Sequence, residues 1–510
     1  MDAVKIILAF IPLAWLLYSL GKIRMPAYKA GIIALLLTYV IAFWGFEMKT
    51  VPILQASLEG VMLALFPILW VIVSALFVYN VTVETGSMEQ IKHMLSGISP
   101  DRRIQSLILA FAFGGFLEAV AGFGTAVAIP AGILAAMGFN PLLAATLCLI
   151  ANTIPVAFGV LGIPIITLSQ VTGLPLASLA LYTAVQLIPF IVLLPFVLVF
   201  AVTGSFKNIK GVAGVSVASG AAFALGQTFT TIYMGPELAA VVGSLASLAV
   251  IVAWAKLLPV RKIWLFDGEK ADFDRVNTKI DMPAAIRAWS PYLFILGIII
   301  VMRFIPALND YPFTLKKQFY FGPDGKPLSF QLATGAGTVL FISAVLGGLV
   351  QGASIIKISA MLMHTLKQLY KTIVTVLSIV ILAKVMGYSG MTGSIASTLA
   401  AVSGRLYPLV APLIGALGTF LTGSDTSSNV LFGNLQSQTA AQLGMSREWI
   451  AAANASGATA GKMISPQSIS IATAATGLSG NEGRILSSTL KYCIIYVALM
   501  GILTLAFAFR

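Results

Sequence analysis

Charge is scarce in this chain. Of 510 residues, only 10% are Asp, Glu, Lys or Arg, against about 25% in an ordinary soluble domain. That excludes a water-soluble globular fold. Cysteine is nearly absent: Cys148 and Cys493 both sit in apolar stretches, so there is no disulfide framework and no thiolate metal spacing. Histidine is as rare. His93 and His364 lie among basic residues and leave no ligand set for haem or a metal ion. A membrane-embedded enzyme or respiratory subunit would need such ligands or a nucleophile–base pair, so neither enzymatic activity nor a cofactor is expected. The net charge of +13 is not a nucleic-acid signal. Lys and Arg in the loops on one side of a membrane set orientation and meet anionic lipid.

What the chain has is apolar length. Hydrophobic residues make up 58% and the mean hydropathy is +0.96. Runs such as 30–46, 61–78, 177–202 and 238–255 approach or exceed the roughly 18 residues that suffice to cross a bilayer. The expected fold is an all-α polytopic membrane protein with about 12 to 14 transmembrane elements. The first apolar segment has Asp2 ahead of Lys5 and reads as a retained helix, not a cleaved leader. Basic clusters recur at Lys22, Arg24 and Lys29, at Lys92, Arg102 and Arg103, at Lys207 and Lys210, between Arg261 and Arg287, and at Lys357, Lys367 and Lys371. Placing all of them on the cytoplasmic side leaves the N-terminus outside. It also puts 306–329, with its Asp310-Tyr-Pro and Gly322-Pro-Asp-Gly325 turns, outside. The segment 88–99 reads as an interfacial helix or a connecting loop.

Two stretches place polar groups at membrane depth, and each reads like the other. The first is Phe116-Leu-Glu-Ala-Val-Ala-Gly-Phe-Gly124, followed by Asn152, Gly159 and Pro164. The second is Phe420-Leu-Thr-Gly-Ser-Asp-Thr-Ser-Ser-Asn429, followed by Asn454, Gly461 and Pro466. The Asn-to-Gly-to-Pro spacing is the same in both. An unpaired backbone group in lipid costs several kcal/mol, so such breaks survive only where they are buried in protein or line a cavity. A matched pair in the two halves of a chain points to a transporter's binding site. The expected layout is therefore two structural repeats, 1–258 with a broken or re-entrant helix in 116–166 and 289–510 with another in 420–470. A cytoplasmic loop, 259–288, joins them. Paired breaks of this kind favour an elevator-type motion over rocking.

The chemistry follows from the residue types. Glu118, deep in an apolar segment, is expensive when charged; a carboxyl that is neutral at rest and ionises when a partner arrives suits a proton carrier. Pairing with an intramembrane base is the alternative. Gly122 and Gly124 let backbone come close to a neighbour or a ligand. Asn152 and Asn454 can satisfy carbonyls freed at Pro155 or bind substrate. Ser424, Asp425, Thr426, Ser427, Ser428 and Asn429 should form the mouth of a half-helix whose free N–H groups and positive dipole end suit a carboxylate. Asp425 can hold a proton or a cation there. Lys462, between Gly461 and Pro466 at membrane depth, needs a partner: a substrate carboxylate, Asp425 or Glu118. Ser465 and Gln467 follow it. Lys384, Glu237 and Arg303 are second-tier candidates, and Glu59 and Arg405 are weaker still. The GK pair at 461–462 lacks both the following Ser/Thr and a preceding strand, which excludes a phosphate loop.

On these residues the chain resembles the L-lactate permease family. The resemblance runs over nearly the whole length and is most specific in 116–124, in Asn152-Thr-Ile-Pro-Val-Ala-Phe-Gly159, in 419–429 and in Gly461-Lys-Met-Ile-Ser-Pro-Gln-Ser468. It implies uptake of L-lactate, glycolate and related 2-hydroxymonocarboxylates with inward proton flow, in a bacterial inner membrane. It does not say which residues touch substrate. From the residues alone, sodium coupling and a passive anion channel stay open.

Overall fold

The computed structural model describes residues 3–23, 25–122, 124–258, 260, 262–269, 281–305, 316–325, 328–478 and 480–509. The fold is almost wholly helical. Among the described residues, 11 helices are long and apolar enough to cross a membrane, or up to 12 with one bent pair counted as a span. That number sits at the lower edge of the sequence expectation because Thr125–Ala136 and Ala336–Val350 are short. The departure from all-α is a two-stranded antiparallel hairpin, Lys316–Phe319 with Leu328–Gln331, in register Lys316↔Gln331. It occupies part of the segment expected outside; Asp310 lies outside the described residues. The segment read as interfacial forms the helix Ser87–Ser96, which buries Met88, Ile91 and Leu95 at helical spacing and exposes Glu89. In the polar loop, 270–280 lies outside the described residues. The next helix begins at Met282, inside the 259–288 segment, behind Asp281 and with Pro283 in its first turn.

Each expected broken region is a run of four helical pieces. The first comprises Arg102–Val120, Thr125–Ala136, Pro141–Ala151 and Val156–Thr172, the last two bent by 59° across Asn152–Pro155. The second comprises Tyr407–Thr422, Asp425–Gln442, Arg447–Lys462 and Pro466–Thr476. The order of pieces is the same, and so is the punctuation. Asn140 and Ser446 cap the third piece of each run with a side-chain oxygen. The two runs pack reciprocally. Gly159–Thr172 lies on Asp425–Gln442, and Pro466–Thr476 lies on Thr125–Ala136, so the last piece of each run seats on the second piece of the other.

Small residues set the closest approach. A Cβ at Gly415 would collide with the backbone of Asn454 and Ala458, at Gly457 with Pro412, and at Gly461 with Ala416. Tyr407–Thr422 and Arg447–Lys462 therefore touch backbone to backbone, the small-xxx-small mode of membrane helix pairing. Gly457 and Gly461 are packing glycines. Between helices runs a buried polar chain. Tyr407 Oη donates to Gln436 Oε1 (2.6 Å), Gln436 Nε2 to Asn454 Oδ1 (3.1 Å), Asn454 Nδ2 to Asn429 Oδ1 (2.9 Å), and Asn429 Nδ2 to the Pro164 carbonyl (3.1 Å). The last link ties the second run to the first.

Gly457→Ala forces this helix pair apart and is expected to destabilise the protein by about 1–3 kcal/mol. Gly297→Ala, where a Cβ meets nothing within 4 Å, should leave it unchanged. Thermal unfolding of both variants in detergent checks this.

Candidate functional site

The breaks converge on one cavity of about 350 Å³. From the first run come Glu118, Gly124, Gly159, Val160, Ile163 and Pro164; from the second come Thr422–Ser427, Lys462, Gln467 and Ser468. The N-terminal ends of Thr125–Ala136, of the regular helix after Gly162, of Asp425–Gln442 and of Pro466–Thr476 all reach its wall. Four positive dipole ends thus face one volume.

The local chemistry explains why the chain opens here. At the second break, Ser424 is extended (φ −139°, ψ 123°) and its Oγ accepts from Ser427 N–H at 3.3 Å. Thr422 Oγ1 returns to the Gly418 carbonyl (2.8 Å) and accepts from Ser424 N–H (3.2 Å). Ser465 does for the last piece what Ser424 does for the second: its Oγ accepts from Ser468 N–H (3.2 Å) and donates to Ser468 Oγ (2.8 Å). At the first break the solution is conformational. Gly124 takes φ +86°, and a Cβ there would strike Ile471 of the opposite run. Val160, Leu161 and Gly162 are all left-handed (φ 46°, 53° and 75°), which for Val and Leu costs roughly 1–2 kcal/mol each.

Lys462 ends its helix inside the cavity wall and donates to the Gly423 carbonyl at 3.2 Å. It acts electrostatically on both Glu118 and Asp425. Yet among the described residues both Asp425 oxygens and Glu118 Oε2 are buried without a hydrogen-bond partner. Among the described residues Lys462 makes no salt bridge to Asp425 or Glu118, the two static pairings considered from sequence; its hydrogen bond goes to the Gly423 carbonyl. Lys462, two carboxyls with free acceptor sites and four helix N-termini share a space of small-molecule size, with a second cation, Lys371, at its edge.

Of the residues singled out from sequence, the structure brings together Glu118, Gly124, Ser424, Asp425, Thr426, Ser427, Lys462 and Gln467. It does not bring Ser428, Asn429, Asn454 or Ser465 to the cavity. Ser428 Oγ donates to the Gly415 carbonyl (2.8 Å), Asn429 and Asn454 belong to the polar chain above, and Ser465 is a cap. Asn152 is buried in the bend, where its side chain interacts with the Glu118 carboxyl. Gly122 lies behind the wall, where a Cβ would collide with Val160. Lys384 has another partner: its Nζ is 2.6 Å from Glu59 Oε1, and Tyr388 Oη donates to Glu59 Oε2 (2.7 Å) and stands 3.1 Å from Asp324 Oδ1. That cluster clasps the hairpin turn to the helices Thr50–Leu63 and Ile355–Ser389. Glu237 is half-buried beside Gly235, away from the cavity. The Arg303 side chain lies outside the described residues.

Sequence reasoning missed the mouth. Tyr28, Lys371, Thr372 and Thr375 line the cavity from two helices outside the broken runs. For Lys371 a signal existed, since Lys371–Thr375 and Thr372–Val376 stand four apart on one helix face. For Tyr28 there was none.

The profile of the L-lactate permease family matches residues 5–509. The chain belongs to that family. It is 45% identical over 450 residues to the L-lactate permease of Streptococcus iniae, covering 88% of this chain and 93% of that one. It is 36% identical over 543 residues to the glycolate permease GlcA of Escherichia coli strain K12, covering 99% and 95%. Among solved structures it is similar to MtrF of Neisseria gonorrhoeae, an antimetabolite efflux pump, with a TM-score of 0.52 at 14% identity over 97% of each chain. This permease-family member thus shares the fold of a helical transporter and is a multi-pass membrane protein.

Lys384→Met strands the Glu59 carboxylate, which is 6% exposed, and should cost about 3–5 kcal/mol. The double variant Glu59→Leu/Lys384→Met should recover most of it. Denaturation in detergent distinguishes the two, with the single variant expected to be the less stable.

Proposed function

We propose that this chain is a secondary active transporter importing L-lactate and related 2-hydroxymonocarboxylates, glycolate among them, by proton symport across the bacterial inner membrane. The observation that carries the reading is the convergence of four half-helix N-termini and Lys462 on one cavity that also holds two carboxyls with free acceptor sites. The names of the relatives, L-lactate permease and glycolate permease, support the substrate class.

In this reading the substrate carboxylate lies between Lys462 and the N-terminus at Ser424–Ser427, and Gln467 and the hydroxyls orient the 2-hydroxyl group. Glu118 or Asp425 carries the coupled proton. The reciprocal packing of the two runs supports two structural repeats of opposite topology. The cavity mouth, at Tyr28 and Lys371, opens among basic residues, which supports reading this conformation as inward-facing with the N-terminus outside. The two runs carry the site as one body against the remaining helices, an elevator motion.

The test is L-lactate uptake into proteoliposomes with an imposed inside-alkaline pH gradient and no sodium. Uphill accumulation that collapses with a protonophore is expected. Accumulation only with a sodium gradient would replace the proton as coupling ion, and dissipative flux alone would mean a channel.

Two variants sharpen the roles. Lys462→Ala is expected to lower uptake by at least about 100-fold, the loss of about 3 kcal/mol from an unpaired buried carboxylate; wild-type uptake would sink the assignment. Of Glu118→Gln and Asp425→Asn, the one that removes the proton carrier should retain lactate exchange across equilibrated vesicles while losing pH-driven accumulation. Counterflow measured beside net uptake checks this.

A further inference from the structure

A second cavity, of about 960 Å³, lies at the basic end of the bundle, away from the first. It is lined by Arg103, Lys207 and Lys262, flanked by the indoles of Trp254 and Trp264, and opens past Leu258, which is 57% exposed. We propose that it binds the phosphate-bearing headgroup of an anionic phospholipid.

The site is built. Arg103, 3% exposed, is locked by Asp101 (Nη2 to Oδ2, 2.6 Å; Nε to Oδ1, 3.0 Å) and donates to the carbonyls of Asn208 (2.7 Å) and Lys262 (3.0 Å). These bonds pin two separate backbone segments around the guanidinium. The loop carrying Lys262 is held again where Trp264 N–H donates to Asp101 Oδ2 (3.0 Å), where Arg102 N–H donates to the Trp264 carbonyl (3.1 Å), and by the Arg102–Glu269 ion pair (2.8 Å). Asp101 neutralises Arg103, but the Lys207 and Lys262 ammonium groups have no hydrogen-bond or ion-pair partner among the described residues. Two free cations on a fixed rim call for an anion. The exposed Leu258 and the indoles call for one attached to an apolar body lying at a membrane interface. A free phosphate satisfies only the first requirement.

The cavity also sits on the first turn of Arg102–Val120, the piece whose far end carries Glu118. A bound headgroup bridges the loop and that helix, so it stabilises the first run where it leaves the cytoplasmic surface.

The full-length protein is tested in detergent micelles supplemented with phosphatidylglycerol or with phosphatidylcholine, reading thermal unfolding and retained lipid. A second arm uses inorganic phosphate. Phosphatidylglycerol is expected to raise the unfolding temperature and to be retained about 10- to 30-fold over phosphatidylcholine, at roughly one decade or less per lysine. Lys207→Ala/Lys262→Ala should lose that preference while unfolding normally in phosphatidylcholine. Equal protection by inorganic phosphate would overturn the lipid assignment in favour of a soluble phosphate ester. Equal retention of both lipids, or a preference unchanged in the double variant, would overturn the site. None of these readouts depends on which solute the protein transports.

Discussion

Backbone groups freed inside an apolar bundle must find partners there, and most of this structure can be derived from that requirement. Water is not at hand to accept a stray N–H or carbonyl, and each one left alone costs several kcal/mol. Four helix breaks therefore cannot be scattered; they are tolerated together, where each supplies what another needs. Asn429, one turn inside the half-helix after the second break, donates to the Pro164 carbonyl at the first. Gly124 makes room for Ile471, and Gly423 for Gln467. The reciprocal seating of the two runs is the geometric form of the same requirement. The cavity is what remains between ends that cannot be brought any closer.

The same constraint governs charge. An extra anion entering a low-dielectric space is opposed by its own desolvation. The helix termini and Lys462 offset that cost, but two carboxyls already occupy the neighbourhood. A monocarboxylate entering with one proton leaves the total charge of the cavity unchanged, whereas the anion alone adds a negative charge beside Glu118 and Asp425. On the proposed reading, this is the physical reason for coupling: the proton makes room electrostatically for the substrate. Lys462 is suited to the work because its resting partner is a single carbonyl at 3.2 Å, a contact easily exchanged for a carboxylate.

The breaks were legible in the sequence because Gly, Pro and Ser/Thr clusters inside apolar runs mark opened backbone and little else. Which polar residues face the cavity was not. Ser424 through Asn429 have one composition, yet at 100° per residue a buried helix turns Asp425, Thr426 and Ser427 toward the cavity and Ser428 and Asn429 into the bundle. No amphipathic contrast marks the difference, since every residue from Asp425 to Val430 is buried. Asn152 and Asn454 looked like twins by spacing, but Asn454 is a link in the chain between Gln436 and Asn429, whereas Asn152 addresses the Glu118 carboxyl. Lys384 looked like a site residue because its partner, Glu59, is 325 positions away. Distance along the chain likewise hid Tyr28.

The two halves meet their common constraint by different means, and the difference bears on how Glu118 is held. The second run uses hydroxyl caps, which satisfy the open backbone without strain. The first uses three consecutive left-handed residues, two of them Val160 and Leu161, for which that conformation is unfavourable. Strain of this kind persists only where the surroundings over-determine it. Here Val160 is wedged against Gly122, where a side chain would collide with it, and Gly162 is pressed on the Pro236 backbone. The clamped turn fixes Gly159, whose missing side chain leaves space beside the Glu118 carboxylate; a Cβ there would stand 3.2 Å from Oε1. Strain in one loop thus sets the position of a carboxyl that has few hydrogen bonds to set it. On the proposed reading, a carboxyl placed by packing and left chemically free suits the role of proton carrier.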